Sequence, residues 1–368
     1  MLTHEGKRPD IQGLRAWAVI FVVIAHISPT AYPGGFIGVD IFFVISGLVI
    51  TQQMIRLKEE YPQRFLAHFY VRRVRRILPS AILVLLLSFF ATSYFLGVVA
   101  ENDFKGDAGW VALFLANFHF QTLSLDYFAA GMQASPLQHY WSLAIEEQFY
   151  LVWPALFLLL AARRTNFKLA ASVIAALIVI SLIFSIYSTE ISKSPQFFNS
   201  FTRVWEVGTG VLLAFISKRL KISITFELAL LGSLILMGLY ISSSMQWPRI
   251  TAVPVIVVTS LLLLRAETTQ FSILKLRIFT YLGDLSFLIY LFHWPILIIV
   301  KSVRVSFDNF AVFIVLALTL FASILTHYMF EKPLRNSQLL IRKPMMTVSL
   351  SLIAISALAT YFITTYNG

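Results

Sequence analysis

The sequence predicts an all-α polytopic membrane protein, and three observations carry that prediction. Of 368 residues, 58% are hydrophobic and only 13% charged, and the mean hydropathy is +0.79. Soluble domains hold apolar usage near one half. Apolar runs long enough to cross a hydrocarbon layer, about 17–25 residues each, recur along the chain. The basic residues gather in alternate connecting segments, as they do when one side of the membrane is cytoplasmic.

The runs define eleven spans in order. The first, 13–31, is not a cleavable signal, because Arg15 interrupts it, no small-residue cleavage site follows and the next span begins at once. The second, 36–54, starts after the Pro33-Gly34-Gly35 turn. The third, 77–98, is headed by RRVRRILP (Arg72 to Pro79). The run 108–120 is short and lies in an acidic stretch, which suits an interfacial or re-entrant segment. A fourth span, 140–161, opens on the polar stretch QHYWSLAIEEQFY. Spans 169–187, 202–217, 225–242 and 249–265 are apolar runs separated by short polar links. The ninth, 279–301, contains GDLSFLIYLFHWP, and the tenth, 309–330, ends in HYMFEKPLR. There, Glu331, Lys332 and Arg335 form an interfacial ion-pair cluster and stop signal. The eleventh is 345–365. Thirty-three Phe, 14 Tyr and 7 Trp suit helices packed in lipid and anchored at its interfaces.

Loop charge sets the orientation. With the N-terminus in the cytoplasm, the inner segments hold 23 of the 29 Lys and Arg residues. The outer ones hold only Lys105, Lys193, Arg203, Arg249, Lys301 and Arg304. This arrangement predicts a plasma-membrane (inner-membrane) protein with its C-terminus outside. The net charge of +11 is thus a membrane-surface feature rather than a nucleic-acid footprint. The absence of cysteine excludes disulfides, thiolate metal sites and a Cys nucleophile. No metal-ligand pattern, P-loop or dinucleotide fingerprint occurs.

Ionisable residues inside apolar spans mark functional sites by default. Arg15 and His26 are eleven residues apart, three helical turns plus about 20°, so they share a face about 16 Å apart along the axis. Asp40 lies as far past the turn as His26 lies before it. A carboxylate beside an imidazole holds its tautomer and stabilises the imidazolium. The alternative is a His–Asp pair that only fixes the hairpin. Glycines 34, 35, 38 and 47 permit a sharp turn and close helix approach, and Ser46 suits an interhelical hydrogen bond. His139, Ser142 and Glu146 form one stripe on the fourth span, with Glu147 and Gln148 directed elsewhere. An N-capping turn is the alternative for that stripe. Ser286, Tyr290 and His293 share roughly one face of the ninth span, where His293 suits a core histidine as well as a site residue. Arg72, Arg73, Arg75 and Arg76 read both as a topology anchor and as a binding site for phosphates.

Taken together, these motifs resemble the membrane acyltransferase-3 family, whose members include O-antigen and peptidoglycan O-acetyltransferases. Arg15 with His26, GGFIGVDIFFVISG, RRVRRILP, HYWSLAIEEQFY, YLFHWP and FEKPLR occur in the family's order across residues 8–335. The resemblance implies a ten-helix acyltransferase-3 domain over 8–335. It adds an eleventh transmembrane helix at 345–365, here without the extracytoplasmic SGNH-like domain of many relatives. It implies transfer of an acyl group, usually acetyl, from acetyl-CoA to a hydroxyl of a cell-envelope polysaccharide, possibly lipid-linked. It also implies that His26 is essential, with Arg15, Asp40, Glu146 and the motif arginines Arg72, Arg73 and Arg76 as family site residues.

The mechanism expected from these residues places the coenzyme A phosphates on Arg72, Arg73, Arg75 and Arg76, with Arg15 at the mouth of the bundle. His26, oriented by Asp40, deprotonates the acceptor, helped by Glu146. His139, Ser142, Tyr290 and His293 bind the acceptor. A variant carries the acetyl covalently on His26 or Ser142. The rival reading is a multi-pass exporter with an intramembrane His/Asp/Glu relay. It predicts inverted repeats, and the sequence shows none. A structural membrane protein, the third reading, predicts no polar stripe on three spans.

Overall fold

The computed structural model describes residues 8–123, 134–162, 167–191, 196–216, 220–242, 245, 247–265, 271–337, 340 and 343–367. The loop cations Lys7, Arg163, Arg164, Lys193, Lys218, Arg219 and Arg342 lie outside them, as does residue 217 at the end of the 202–217 span.

The described residues form helices and connecting turns, with no strand among them. In chain order the helices are α1 (Pro9–Ile27), α2 (Ile37–Glu60), α3 (Phe65–Ala112), α4 (Ala116–Thr122), α5 (Tyr140–Ala162), α6 (Phe167–Ile191) and α7 (Val204–Ala214). There follow α8 (Ile224–Tyr240), α9 (Val253–Leu263), α10 (Arg277–Val303), α11 (Asn309–Thr326), α12 (Lys332–Asn336) and α13 (Pro344–Thr365). A π-helical turn, His327–Glu331, joins α11 to α12.

Each sequence-predicted span contains a helix, and among the described residues eight helices are long and apolar enough to cross a membrane. This is an integral membrane architecture. The spans expected at 202–217, 225–242 and 249–265 hold shorter helices. Their apolar helical stretches run Val204–Ala214, Ile224–Tyr240 and Ile250–Leu263. Eleven residues of α-helix rise only about 17 Å, against a hydrocarbon core of about 30 Å. Arg203 and Arg265 border two of these helices and are buried in ion pairs, so hydropathy overstated how much of each run is uniform helix.

The expected segment 108–120 is likewise not a separate element. Helix α3 continues to Ala112 beyond a kink at Gly97 (φ 84°, ψ −174°), and α4 begins at Ala116. That backbone conformation is open to glycine and strained for other residues, so Gly97 divides the helix between its apolar span and a more polar arm. Burial separates the helices by role. The apolar window of α2 is 78% buried, whereas those of α6 and α13 are only 17% buried. Helices α6 and α13 therefore present apolar side chains outward, as lipid-facing helices do, while α2 is a core helix carrying an aspartate.

The chain divides into two compact units. One comprises Met1–Thr51, Asn166–Gln196 and Phe201–Phe287, and the other Gln52–Thr165, Phe197–Ser200 and Leu288–Gly368. In the first, α6 packs on α7, α8 on α9, and α1 on the turn Ile273–Lys275. In the second, α13 lies along α3, and α4 packs on α5.

Candidate active site

Each unit contains its own buried polar centre. In the first unit, Pro9 starts α1, where its missing N–H is no loss. Arg15 Nη1 lies 3.3 Å from Gln12 Oε1. His26 is half-buried in the last turn of α1. All four hairpin-region glycines sit where a Cβ would meet a neighbour: Gly34 at Ile241, Gly35 at Phe21, Gly38 at Ala18 and Gly47 at Val207. The contact at Gly38 is informative, because it meets both the Ala18 carbonyl and the Val22 side chain. Ala18, Val22 and His26 are spaced four apart, so they share the α1 face that lies against α2.

Asp40 is 1% exposed, and its hydrogen-bond partners correct the expected pairing with His26. Its Oδ1 accepts from Arg203 Nη1 at 2.8 Å and from Trp247 Nε1 at 3.2 Å. Arg203 Nη1 also donates to Glu206 Oε1 at 2.9 Å. His26 is not among the partners of Asp40. A buried carboxylate is stabilised most by a permanent cation, and guanidinium supplies charge at any pH where the protein is folded, as imidazole does not. Arg203, Glu206 and Trp247 were missed in the sequence. The available signal was the Arg203/Glu206 pair, three residues apart at the head of an apolar helix. A further buried cluster ties the ends of α8 and α9 together. Glu227 accepts from Arg265, from Ser272 Oγ at 2.9 Å and from the Leu274 amide at 3.3 Å.

In the second unit, α5, the turn just before it and α10 bring His139, Ser142, Tyr290 and His293 together. Tyr290 Oη donates to the His139 carbonyl at 3.0 Å and lies 2.6 Å from Ser142 Oγ. A phenol has one proton, and a carbonyl can only accept, so Ser142 donates to Tyr290. His139 Nε2 donates to the Leu291 carbonyl at 3.1 Å, and His293 Nδ1 to the Tyr290 carbonyl at 2.7 Å. The donated proton at Nδ1 makes Nε2 the basic nitrogen of His293 in its neutral form. The His139 and His293 rings are 5.9 Å apart.

One to two turns further along α5, Glu146 Oε2 accepts from Tyr150 Oη at 2.9 Å. The Arg73 guanidinium lies over the Tyr150 ring at 5.4 Å and donates to Gln53 Oε1 at 2.6 Å. Glu146 is within electrostatic range of both Arg73 and Tyr290. Glu147, expected to point elsewhere, also acts on Arg73. The motif arginines do not form one surface. Arg73 is buried in this network, and Arg75 Nε donates to the Leu334 carbonyl at 3.3 Å. Arg72 lies 3.9 Å from Glu60. Arg76 makes no hydrogen bond or ion pair among the described residues. The reason is helical geometry: Arg72 and Arg76 are four apart on one face, whereas Arg73 is turned by about 100°. Gln53, Tyr150 and Glu147 therefore join the candidate site, which spacing along one helix could not show. Among the described residues no group of three or more His, Cys, Asp or Glu could hold a metal ion.

The chain is 35% identical over 210 residues to the peptidoglycan O-acetyltransferase OatA of Listeria monocytogenes, covering 56% of this chain and 34% of that protein. It is 29% identical over 347 residues to the O-acetyltransferase OatA of Staphylococcus aureus, covering 89% of this chain and 57% of that protein. The chain thus spans about half the length, or less, of these curated relatives. No solved structure matches it. The family model of the acyltransferase domain, type 3, matches residues 8–328, a stretch that holds both polar centres, and the chain belongs to that family of membrane acyltransferases.

Proposed function

We propose that this protein is an O-acetyltransferase that moves acetyl from cytoplasmic acetyl-CoA to a hydroxyl of a cell-envelope glycan, with a peptidoglycan sugar as acceptor. The observation that carries the reading is the family match across both polar centres, joined to the names of the relatives. The loop charges support a cytoplasmic N-terminus in the plasma membrane.

In the proposed reaction His26 Nε2 or Nδ1 takes the proton of the acceptor hydroxyl as its oxygen attacks the acetyl carbonyl. Coenzyme A leaves as thiolate and recovers a proton, and the ester forms. A positioned base of this kind contributes about 10²–10⁴-fold. Arg72 and Arg76, on one face of α3, are assigned to the donor's phosphates, and Arg15 to the donor's path. Arg73 fixes Tyr150 and Glu146. The hydroxyl of Tyr290 and the imidazole of His293 are assigned to the acceptor. Direct transfer is favoured over an acyl-Ser142 intermediate, because the Ser142 proton is directed to a phenol oxygen rather than to a base.

The test is transfer of radiolabel from acetyl-CoA to glycan by the purified protein in proteoliposomes. His26→Ala is expected to lower the turnover at least about 10²-fold with unchanged thermal stability. Arg76→Ala is expected to raise the KM for acetyl-CoA and leave kcat within about twofold. Full turnover in His26→Ala removes the base assignment.

A further inference from the structure

In the second unit a cavity of about 690 Å³ lies beyond the Gly97 kink, lined by the polar arm of α3, by α4, by Ser135 and Pro136, and by the end of α13. It contains none of the residues assigned above. Its volume suits a small organic ligand. Much of its wall is apolar, and its polar lining includes Asp103, Lys105, Asp107, His119 and Ser135.

Trp110 is stacked on His119, with ring centroids 5.4 Å apart and planes 9° from parallel. His119 is itself held by Asp107, Nε2 to Oδ1, at 2.7 Å. One indole face is thus covered and fixed, yet Trp110 remains 45% exposed. Tyr366, also on the cavity wall, is anchored through its neighbour: Asn102 Nδ2 donates to the Asn367 carbonyl at 2.8 Å, and the Asn367 amide donates to Asn102 Oδ1 at 3.0 Å. Asp103 is exposed and makes no hydrogen bond or ion pair among the described residues. Lys105, the cation of the cavity wall, is engaged by Glu101 at 2.7 Å.

We propose that this cleft binds an uncharged pyranose unit of the acceptor glycan, which rests on the O-acetyltransferase reading. The apolar face of a pyranose stacks on an open aromatic face, and its hydroxyls are donors for carboxylates. Trp110 supplies the face, and Asp103 and Asp107 supply acceptors. The prior stacking of Trp110 on His119 lowers the ordering cost of binding. A phosphate headgroup meets two carboxylates here and a lysine already paired. An indole acting only as an interface anchor needs no His–Asp brace behind it.

The experiment measures binding of tri-N-acetylglucosamine to the purified full chain in detergent by calorimetry, with no acetyl donor present. Trp110→Ala is expected to weaken binding about tenfold or more, and Trp110→Phe less. Asp103→Asn, at an exposed site, is expected to weaken it about threefold to tenfold at unchanged melting temperature. Wild-type affinity in folded Trp110→Phe and Asp103→Asn overturns the proposal. So does quenching of Trp110 emission by brominated phospholipid that the trisaccharide fails to relieve, which assigns the cleft to lipid. Because no donor is present, an inactive protein that still binds sugar through Trp110 ends the transfer reading and keeps the cleft. An active one whose variants bind normally does the reverse.

Discussion

Replacing Arg203 by methionine leaves two carboxyl groups facing one another in the interior. In the native protein a single nitrogen of Arg203 is 2.8 Å from Asp40 and 2.9 Å from Glu206, with exposure of 0%, 1% and 0% for the three side chains. Without the guanidinium, Asp40 keeps the Trp247 N–H at 3.2 Å. Removing one partner of a buried ion pair costs about 3–5 kcal/mol, because the remaining charge has lost both water and counter-ion. That is about a fifth or more of the roughly 5–15 kcal/mol that holds a typical domain folded. Met is nearly isosteric along the stem, so the loss reads charge rather than volume. The assay is equilibrium unfolding of the purified protein in mixed micelles, followed by tryptophan emission. Adding Asp40→Asn and Glu206→Gln to Arg203→Met removes the stranded charges and is expected to recover all but about 1–2 kcal/mol. Arg203→Lys is expected to recover only part, since an ammonium lacks the planar fork. A loss below about 1 kcal/mol in Arg203→Met, the size of an exposed pair, refutes the reasoning. So does a triple variant no more stable than the single one.

Two further outcomes test the packing around the sites. Gly38→Ala drives a Cβ into the Ala18 carbonyl and is expected to cost about 1–3 kcal/mol by overpacking. Gly232→Ala, in the middle of α8 with open space around it, is expected to be neutral or to gain up to about 1 kcal/mol; equal effects in unfolding midpoint contradict the helix approach. Tyr290→Phe removes the donor to the His139 carbonyl and the acceptor for Ser142, and is expected to cost about 1–3 kcal/mol. Ser142→Ala removes one bond and is expected to cost about 0.5–1.5 kcal/mol; a larger loss in Ser142→Ala than in Tyr290→Phe reverses the assigned order of donors.

Local regularities made much of this protein legible from its residues. The apolar runs located every long helix, because composition over about 20 residues is a property of the segment alone. The 100° step of a helix placed Ser142 and Glu146 about one turn apart along α5, with His139 in the turn just before it. Charge bias and motif order reached the family. The same regularities misled where a charge is paired inside the fold. Arg203 and Arg265 look like loop cations beside an apolar run, yet both are buried ion-pair partners. The division of Arg72, Arg73 and Arg76 was legible in principle from helix geometry, but not which face meets Gln53 and Tyr150.

By itself the sequence determined the membrane class, the long helices and the residues capable of acid–base chemistry, since these follow from side-chain type and short-range spacing. Tertiary structure alone decided the partners. Asp40 meets Arg203 across 163 positions and Trp247 across 207, rather than the histidine of its own hairpin. A buried carboxylate goes to the group that neutralises it at least desolvation cost, and that group is known only once distant helices have packed.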